Sequence, residues 1–458
     1  MSWLIHEWRL VQRSRFTIIS LLLLLLLTTI AVIFGINEIA KQRQTITRLG
    51  IIQQQELIAQ QSNPTHKGDV GTVAYYTFLE TWNQPSDAAF LASGFRDATP
   101  YVLRIRALAL QTQLHEGEIF NPELALIGRF DFAFILVYLV PLFLIALFYD
   151  IISNERQTGR LITLLALSKT INNLWIRRFC LRIALVFMCL FLPITVGSLI
   201  TGLSTTISVV ILIIIFAYLC FWAGLALIVS TRNTSSINNA ITLIGLWIIL
   251  TFVLPAIGNT IQTQLIPINQ GVELMLAQRQ VVHAAWDTPR EDTMQKFFKT
   301  NPKWENTAPL PAGFHWKWYY AFQQLGDESV STQVASYREK LFKRQYFSQY
   351  LGWFLPSVGV QTLLHRIAKT DLLAQLNYQD KIVVFHKQLR NYYYYYLFNE
   401  IEFKADDFAK IPRFQPLSTD NSLLNDLNTL KYLLLAMITT AGLTFFLGIR
   451  ATYKINLS

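Results

Sequence analysis

Six apolar runs, each close to twenty residues long, constrain this chain more than any other feature of its sequence. They cover residues 16–36, 130–149, 183–203, 207–230, 237–257 and 430–448. A helix of about 20 residues crosses the ~30 Å hydrocarbon core of a bilayer. Because 52% of the residues are hydrophobic and only 15% are charged, a soluble core would not bury so much apolar surface. The sequence therefore predicts an all-α polytopic membrane protein with six transmembrane helices.

The first run could be either a cleaved signal peptide or a retained span. A signal peptide has an apolar region of about 7–15 residues followed by a small-x-small cleavage site. Here the run has 21 residues and no such site follows it. We therefore expect a retained span.

Lysine and arginine are concentrated in the short connections. With both termini inside, the cytoplasmic pieces are 1–15, 150–182, 231–236 and 449–458, and they hold twelve Lys/Arg against three acidic residues. Such enrichment marks the cytoplasmic side. Segment 150–182 decides the orientation, because basic residues lie on both sides of the first span. The net charge of +10 is thus a topology signal, and nucleic-acid binding is not expected.

Two long insertions, 37–129 and 258–429, should then lie outside the cytoplasm and pack into one mainly helical (α or α+β) domain. The heptad-like stretch 36–59 predicts a long helix that continues out of the first span. Residues 101–118 alternate apolar and basic positions, which fits a strand or a helix. Stretches 274–286 and 331–351 have helical period, and prolines between 302 and 311 predict a loop.

Aromatic residues are dense at 314–322 and 392–396. Such rings either fill a core or lie in the headgroup belt, and the alternative is a cradle for a lipid, glycan or peptide. Pro141, Pro193 and Pro255 could kink their spans near a shared pathway, or be tolerated without any such role. The three cysteines, Cys180, Cys189 and Cys220, lie in or beside spans, and we expect buried, unpaired side chains.

The sequence motifs of several kinds of nucleotide-binding, metal and catalytic site are absent. The sequence has no Gly-x-x-x-x-Gly-Lys-Ser/Thr, no His-Glu-x-x-His, no Gly-x-Ser-x-Gly and no Cys-x-x-Cys. Charged residues are almost absent from the spans, which disfavours a proton- or sodium-driven carrier. We expect no enzymatic activity, no cofactor and no metal in this chain.

The polar segment that begins at Asp150, DIISNERQTGRLITLLALS, resembles the cytoplasmic loop of ABC-2 type permeases. That pattern runs approximately Glu-x-x-x-Gly-Thr-Leu-x-x-Leu-Leu, and the segment lies between spans two and three as in that family. The matching residues are Glu155, Gly159, Leu161, Leu164 and Leu165. Arg160 stands at the usual Thr and Ser168 at a common Pro, which leaves the docking geometry open.

Two further stretches resemble segments of such permeases. Residues 1–15 form an amphipathic pattern with Trp3 and Trp8 on one stripe and Arg9 and Arg13 around the rest; this resembles the interfacial elbow helix of the family, although a simple basic flank would look similar. Residues 353–400 resemble the second external segment of a bacterial permease subgroup with large extracytoplasmic insertions, itself a domain of unknown function.

The resemblance implies a permease subunit that moves an exported lipid, glycan or peptide with ATP hydrolysed elsewhere. The implied partners are an ATPase subunit that binds ATP and Mg²⁺, a second permease (identical or different) and membrane lipids, in the bacterial inner membrane. The residues implied to couple to the ATPase are Glu155, Arg156, Gly159, Arg160, Leu161, Leu164 and Leu165.

The resulting layout is an elbow helix (1–15), span one (16–36), insertion one (37–129), span two (130–149), a coupling loop (150–182), spans three to five (183–257), insertion two (258–429), span six (430–448) and a tail (449–458). A different class of function is a non-transporting scaffold or sensor whose external domain binds a ligand. An intramembrane hydrolase is disfavoured because paired catalytic residues are missing.

Overall fold

Helix dominates the computed structural model, which describes residues 2–62, 68–115, 130–167, 171–268, 271–415 and 422–453. Within these ranges the one sheet is the antiparallel pair β1 (Leu79–Trp82) and β2 (Val102–Ile105), with Leu79 opposite Ile105. The α-helices, in chain order, are α1 (Ser2–Arg13), α2 (Arg15–Ser62), α3 (Val70–Tyr76), α4 (Leu110–His115), α5 (Phe132–Phe134), α6 (Val140–Phe148), α7 (Ser153–Gln157), α8 (Arg160–Leu167), α9 (Ile171–Thr201), α10 (Thr205–Ser230), α11 (Ser236–Ile248), α12 (Leu254–Leu265), α13 (Gly271–Ala284), α14 (Arg290–Thr300), α15 (Trp316–Ser329), α16 (Ser331–Phe354), α17 (Pro356–Ile367), α18 (Leu372–Phe398) and α19 (Ser422–Thr452).

Six helical stretches of the described chain are long and apolar enough to cross a membrane, as the sequence predicted. They are Arg15–Ser62, Phe132–Gln157, Leu174–Thr201, Thr205–Ser230, Ser236–Leu265 and Leu430–Thr452. These features indicate a multi-pass membrane protein. The helix of the third span begins at Ile171, inside the segment 150–182 that the sequence pattern assigned to a loop.

The spans share one apolar core, and the second and fourth spans are the most enclosed. Phe148 at the end of the second span stacks on Phe179 of the third, with ring centroids 4.5 Å apart. The fourth and sixth spans come so close that a Cβ on Gly224 would lie 2.6 Å from the backbone nitrogen of Phe445. Small residues at such crossings let membrane helices approach closely.

Two of the three prolines in the spans follow a π-helical turn. The turn Ile135–Leu139 precedes Pro141 in the second span, and the turn Ile249–Val253 precedes Pro255 in the fifth. Pro193 lies inside the continuous helix α9. The two turns interrupt the regular i→i−4 backbone hydrogen bonds of their spans, as single π turns inside α-helices do.

Helix α2 confirms the predicted long helix: its 48 residues run from the first span into the first insertion. At 1.5 Å per residue it is about 70 Å long. Residues 101–115, where the pattern left strand and helix open, contain both β2 and α4. Helices α13 and α16 lie where the second insertion showed helical period.

Residues of both insertions form a second hydrophobic core, separate from that of the spans. The first insertion contributes Leu57, Val73 and Ile105, while the second supplies most of the rings. The aromatic stretches 314–322 and 392–396 therefore fill a core, because Trp318, Tyr320, Phe322, Tyr393 and Tyr394 are buried there. Phe314 and Tyr395 are exposed instead.

Two short elements of the insertions join the core of the spans. Phe90 of the first insertion is fully buried. Its carbonyl leaves no room for a side chain at Gly35, and its ring leaves little room for one at Gly197. Helix α17 of the second insertion buries Val360, Leu363 and Leu364 in the same core. The insertions are thus packed against the bundle as well as connected to it by the chain.

The three cysteines are unpaired, as expected, but only Cys189 and Cys220 are partly buried. Cys180, on α9, is exposed. The expectation of a buried side chain is wrong for that residue.

Candidate coupling site

The candidate site lies at the end of the bundle that carries segment 150–182. Helix α7 ends at Gln157 and is capped by Thr158, whose hydroxyl donates to Asn154 O at 2.8 Å. Gly159 then adopts a φ of +73° with no atom near its missing Cβ, and α8 starts at Arg160. Glycine takes this left-handed conformation without a steric penalty. The two short helices therefore form a bent pair at the point where the family pattern places its glycine.

Arg178 of α9 joins three elements at this site. Its Nη1 lies 3.1 Å from Glu155 Oε1, its Nε lies 3.4 Å from Glu7 Oε1, and its guanidinium carbon is 5.2 Å from the Trp175 ring centroid. All of these side chains are largely or fully buried. The cation therefore links α1, α7 and the start of the third span.

Glu155 has a second cationic neighbour, because Arg160 Nε lies 3.0 Å from its Oε2. Arg160 itself is exposed. Burial of an acidic group is tolerated only when cations and hydrogen bonds compensate its lost hydration. The two arginines supply this compensation and orient the carboxylate.

A second set of contacts holds α7 to the turn between spans four and five. Arg156 Nη1 donates to the Arg232 carbonyl at 2.8 Å, and the hydroxyls of Ser153 and Ser236 are 2.8 Å apart. Asn239, buried at the start of the fifth span, donates to the Tyr149 carbonyl at 3.3 Å. The pair α7–α8 is thus fixed to spans two, three and five.

The leucines of α8 differ in their surroundings. Leu161 is 5% exposed and belongs to the core of the spans, and Leu164 packs against that core. Ile162 is 65% exposed, and Thr163 and Ala166 are exposed beside it. The side chain of Leu165 lies outside the described residues, as do residues 168–170.

The exposed face of the α7–α8 pair is therefore formed by residues that the motif did not single out, apart from Gly159 and Arg160. They are Asn154, Gln157, Thr158, Ile162, Thr163 and Ala166. Sequence periodicity gives little help here, because α8 has eight residues and nearly all of them are apolar. We call this surface the outer face of α7–α8.

Helix α1 confirms a helix at the predicted elbow, and Arg9 and Arg13 are exposed on it. Val11 is buried, Trp8 is about half exposed, and the side chain of Trp3 lies outside the described residues. Glu7, an acidic residue of this helix, is buried. Its carboxylate is buried because Arg178 pairs with it.

Among the residues that the structure describes, no group of three or more His, Cys, Asp and Glu side chains is arranged to hold a metal ion. What this region offers is the outer face of α7–α8, an exposed surface of apolar and polar side chains on a helical pair that is held to the spans.

Comparison with known proteins relates one part of the chain to a family. Residues 272–416, most of the second insertion, match the family described as "Domain of unknown function (DUF3526)". No curated protein and no solved structure matches the chain. The similarity to a domain of unknown function, expected for the second insertion, is thus found there.

Proposed function

We propose that this chain is the membrane-spanning permease subunit of an ATP-binding cassette transporter, and that the outer face of α7–α8 binds a separate ATPase subunit. The observation that carries the proposal is the Arg178 contact with Glu155 and Glu7, because it fixes an exposed helical pair to the spans. A force applied to this pair would reach the second and third spans without being lost in a flexible loop. ATP and Mg²⁺ bind to the partner.

The roles of the motif residues follow from their contacts. Glu155, Arg156 and Leu161 hold the pair on the bundle, since their partners lie within the chain. Gly159 permits the bend, and Ile162 and Thr163 meet the ATPase. Arg160 is exposed and orients Glu155 as well as meeting the ATPase. Burying an exposed isoleucine in such an interface contributes about 1.5–3 kcal/mol.

The remaining features of the proposal come from the charge pattern and the family resemblance. Both termini and the α7–α8 pair lie in the cytoplasm, the two insertions lie outside, and the membrane is the bacterial inner membrane. Two permeases, identical or different, pair within the lipid. The cargo is an exported lipid, glycan or peptide.

A scaffold or sensor is the second candidate, and one observation favours it. The insertions have their own aromatic core, and three rings at its surface, Tyr76, Trp286 and Phe314, are about half exposed. Exposed rings of this kind are suited to binding a ligand. A protein of this class would need no ATPase.

The experiment is purification of the tagged, full-length chain from its native membrane, with mass spectrometry of the proteins that co-purify. We expect an ATPase with a Gly-x-x-x-x-Gly-Lys-Ser/Thr motif. Ile162→Asp should lose it and keep a monodisperse profile. Ile51→Asp, at a similarly exposed isoleucine of the first insertion, should retain it.

Two results would overturn the proposal. Absence of any such ATPase from the wild-type preparation would favour the scaffold, and so would labelling of a cysteine at Thr163 from outside the cell. Retention of the ATPase by Ile162→Asp would contradict the assigned contact face.

A further inference from the structure

The second and fifth spans share an arrangement that the proposed function does not use. In each, a five-residue π-helical turn is followed by one residue and then a proline, Pro141 or Pro255. The fourth residues of the two turns, Tyr138 and Phe252, stack with ring centroids 5.5 Å apart and an interplanar angle of 28°. The two breaks therefore lie side by side in the bundle.

Each break leaves backbone carbonyls short of a donor. In the fifth span the Leu254 amide donates to Ile249 O, and Pro255 has no N–H. The residues four and five positions after Leu250, Leu254 and Pro255, therefore do not donate to its carbonyl. An unpaired carbonyl inside a membrane costs several kcal/mol in hydrocarbon.

In both spans a hydroxyl from a different element donates to a carbonyl of the π-helical turn. Ser357 Oγ of α17 donates to Leu250 O at 2.9 Å, and Tyr218 Oη of the fourth span donates to Val137 O at 3.0 Å. The usual donor to Val137, four residues further on, would be Pro141. Ser357 and Tyr218 are both buried.

The bond to Leu250 brings the second insertion down to membrane depth. Leu250 lies fourteen residues after Ser236, where α11 begins. At 1.5 Å per residue this is about 21 Å along a span that crosses ~30 Å of hydrocarbon. Helices α16 and α17 meet at Leu355, and a Cβ on Gly359 would lie 2.7 Å from Gly352 O. The two helices are therefore in close backbone contact next to this bond.

We propose that the Ser357 hydroxyl takes the place of the backbone donor that Pro255 removes, and that this bond makes α17 follow the fifth span when the span bends at its π-helical turn. Ser357 is then a positioning residue that links the second insertion to the membrane. The proposal does not depend on ATP or on an ATPase partner.

Hydrogen exchange of the purified full-length chain in lipid nanodiscs tests this link. Ser357→Ala should speed exchange in both 249–256 and 356–367 by about threefold, the size typical of a side-chain hydrogen bond between membrane helices. Ser329→Ala removes a hydroxyl that donates to Gly326 O within α15, and it should leave both segments unchanged.

The Pro255→Ala background separates this role from simple packing. In the i→i−5 register that the Leu254 amide already follows, alanine at position 255 restores an N–H that can donate to Leu250 O, so the effect of Ser357→Ala should largely disappear there. An equal increase in exchange in both backgrounds would overturn the proposal, because the hydroxyl would then matter for a reason unrelated to the proline. No increase in the natural background would overturn it as well.

Discussion

Arg178 Nη1 lies 3.1 Å from Glu155 Oε1, and both side chains are largely buried between α1, α7 and α9. This pair determines how rigidly the proposed ATPase-binding element is held. Removing one partner of a buried ion pair costs far more than breaking a surface pair, because the other charge remains unpaired.

We expect Arg178→Ala to release α7 and α1 from the third span. Two carboxylates, Glu7 and Glu155, would lose their shared cation, at a cost of about 3–5 kcal/mol. Amide exchange over 153–163 should rise by more than tenfold. Arg13→Ala, which removes an exposed cation from α1, should leave that exchange unchanged. Unaltered protection in Arg178→Ala would show that the two carboxylates are held by other groups.

The sequence predicted those parts of the fold that depend on local pattern. Six apolar runs predicted the six spans, and the stretch 36–59 predicted the helix that continues far beyond the first span. The contacts that build the site are not local. Glu7 and Arg178 are 171 residues apart in the chain, and no periodicity links them.

Two other features could be read from the sequence only in part. In α8 nearly every residue is apolar, so the pattern could not show that Leu161 is buried and Ile162 exposed. The acceptor of the Ser357 bond is a backbone carbonyl, which every residue has. Pro255 marks where a donor is missing, but only the folded chain shows which hydroxyl replaces it.

Gly224 should not tolerate a side chain, because the fourth and sixth spans touch there. An added Cβ would lie 2.6 Å from the backbone of both Thr444 and Phe445, which cannot rotate away. Overpacking of this kind costs about 1–3 kcal/mol. We expect Gly224→Ala to lower the thermal midpoint in detergent by several degrees.

Gly245 is the matched control for that variant. It lies in helix α11, with no atom within 4 Å of an added Cβ. Alanine is the better helix former, so Gly245→Ala should leave the midpoint unchanged or raise it slightly. A similar loss in both variants would mean that helix propensity, and not the contact between spans, controls the result.

His386 should make the insertions less stable in acid. Its Nε2 lies 2.8 Å from the Leu108 carbonyl, and burial, with Arg390 nearby, lowers its pKa to about 3 from the usual 6.5. As the pH falls below about 6.5, the unfolded chain binds a proton that native His386 does not. The free energy of unfolding then decreases by about 1.4 kcal/mol per pH unit.

Thermal unfolding between pH 7 and pH 5 measures this loss. We expect His386→Gln, which keeps a side-chain donor and does not titrate, to show a shallower decline than the natural chain. His283→Gln, at an exposed histidine, should decline like the natural chain. Equal slopes in all three would mean that His386 is protonated without leaving its site.

Asp327 should be essential for joining the two insertions. Its carboxylate accepts the amides of Leu110 and Gln111 at the start of α4, at 2.8 and 3.2 Å, and pairs with Arg390 Nη2 of α18 at 2.7 Å. Asp327→Asn would leave a largely buried guanidinium without its counter-charge, which costs about 3–5 kcal/mol. Asp380→Asn removes an exposed carboxylate of α18 that pairs with Arg338 of α16, and it should cost less than about 1 kcal/mol. Amide exchange over 108–115 should therefore rise at least tenfold more in Asp327→Asn than in Asp380→Asn. Comparable exchange would mean that the Asp327 contacts do not hold the first insertion on the second.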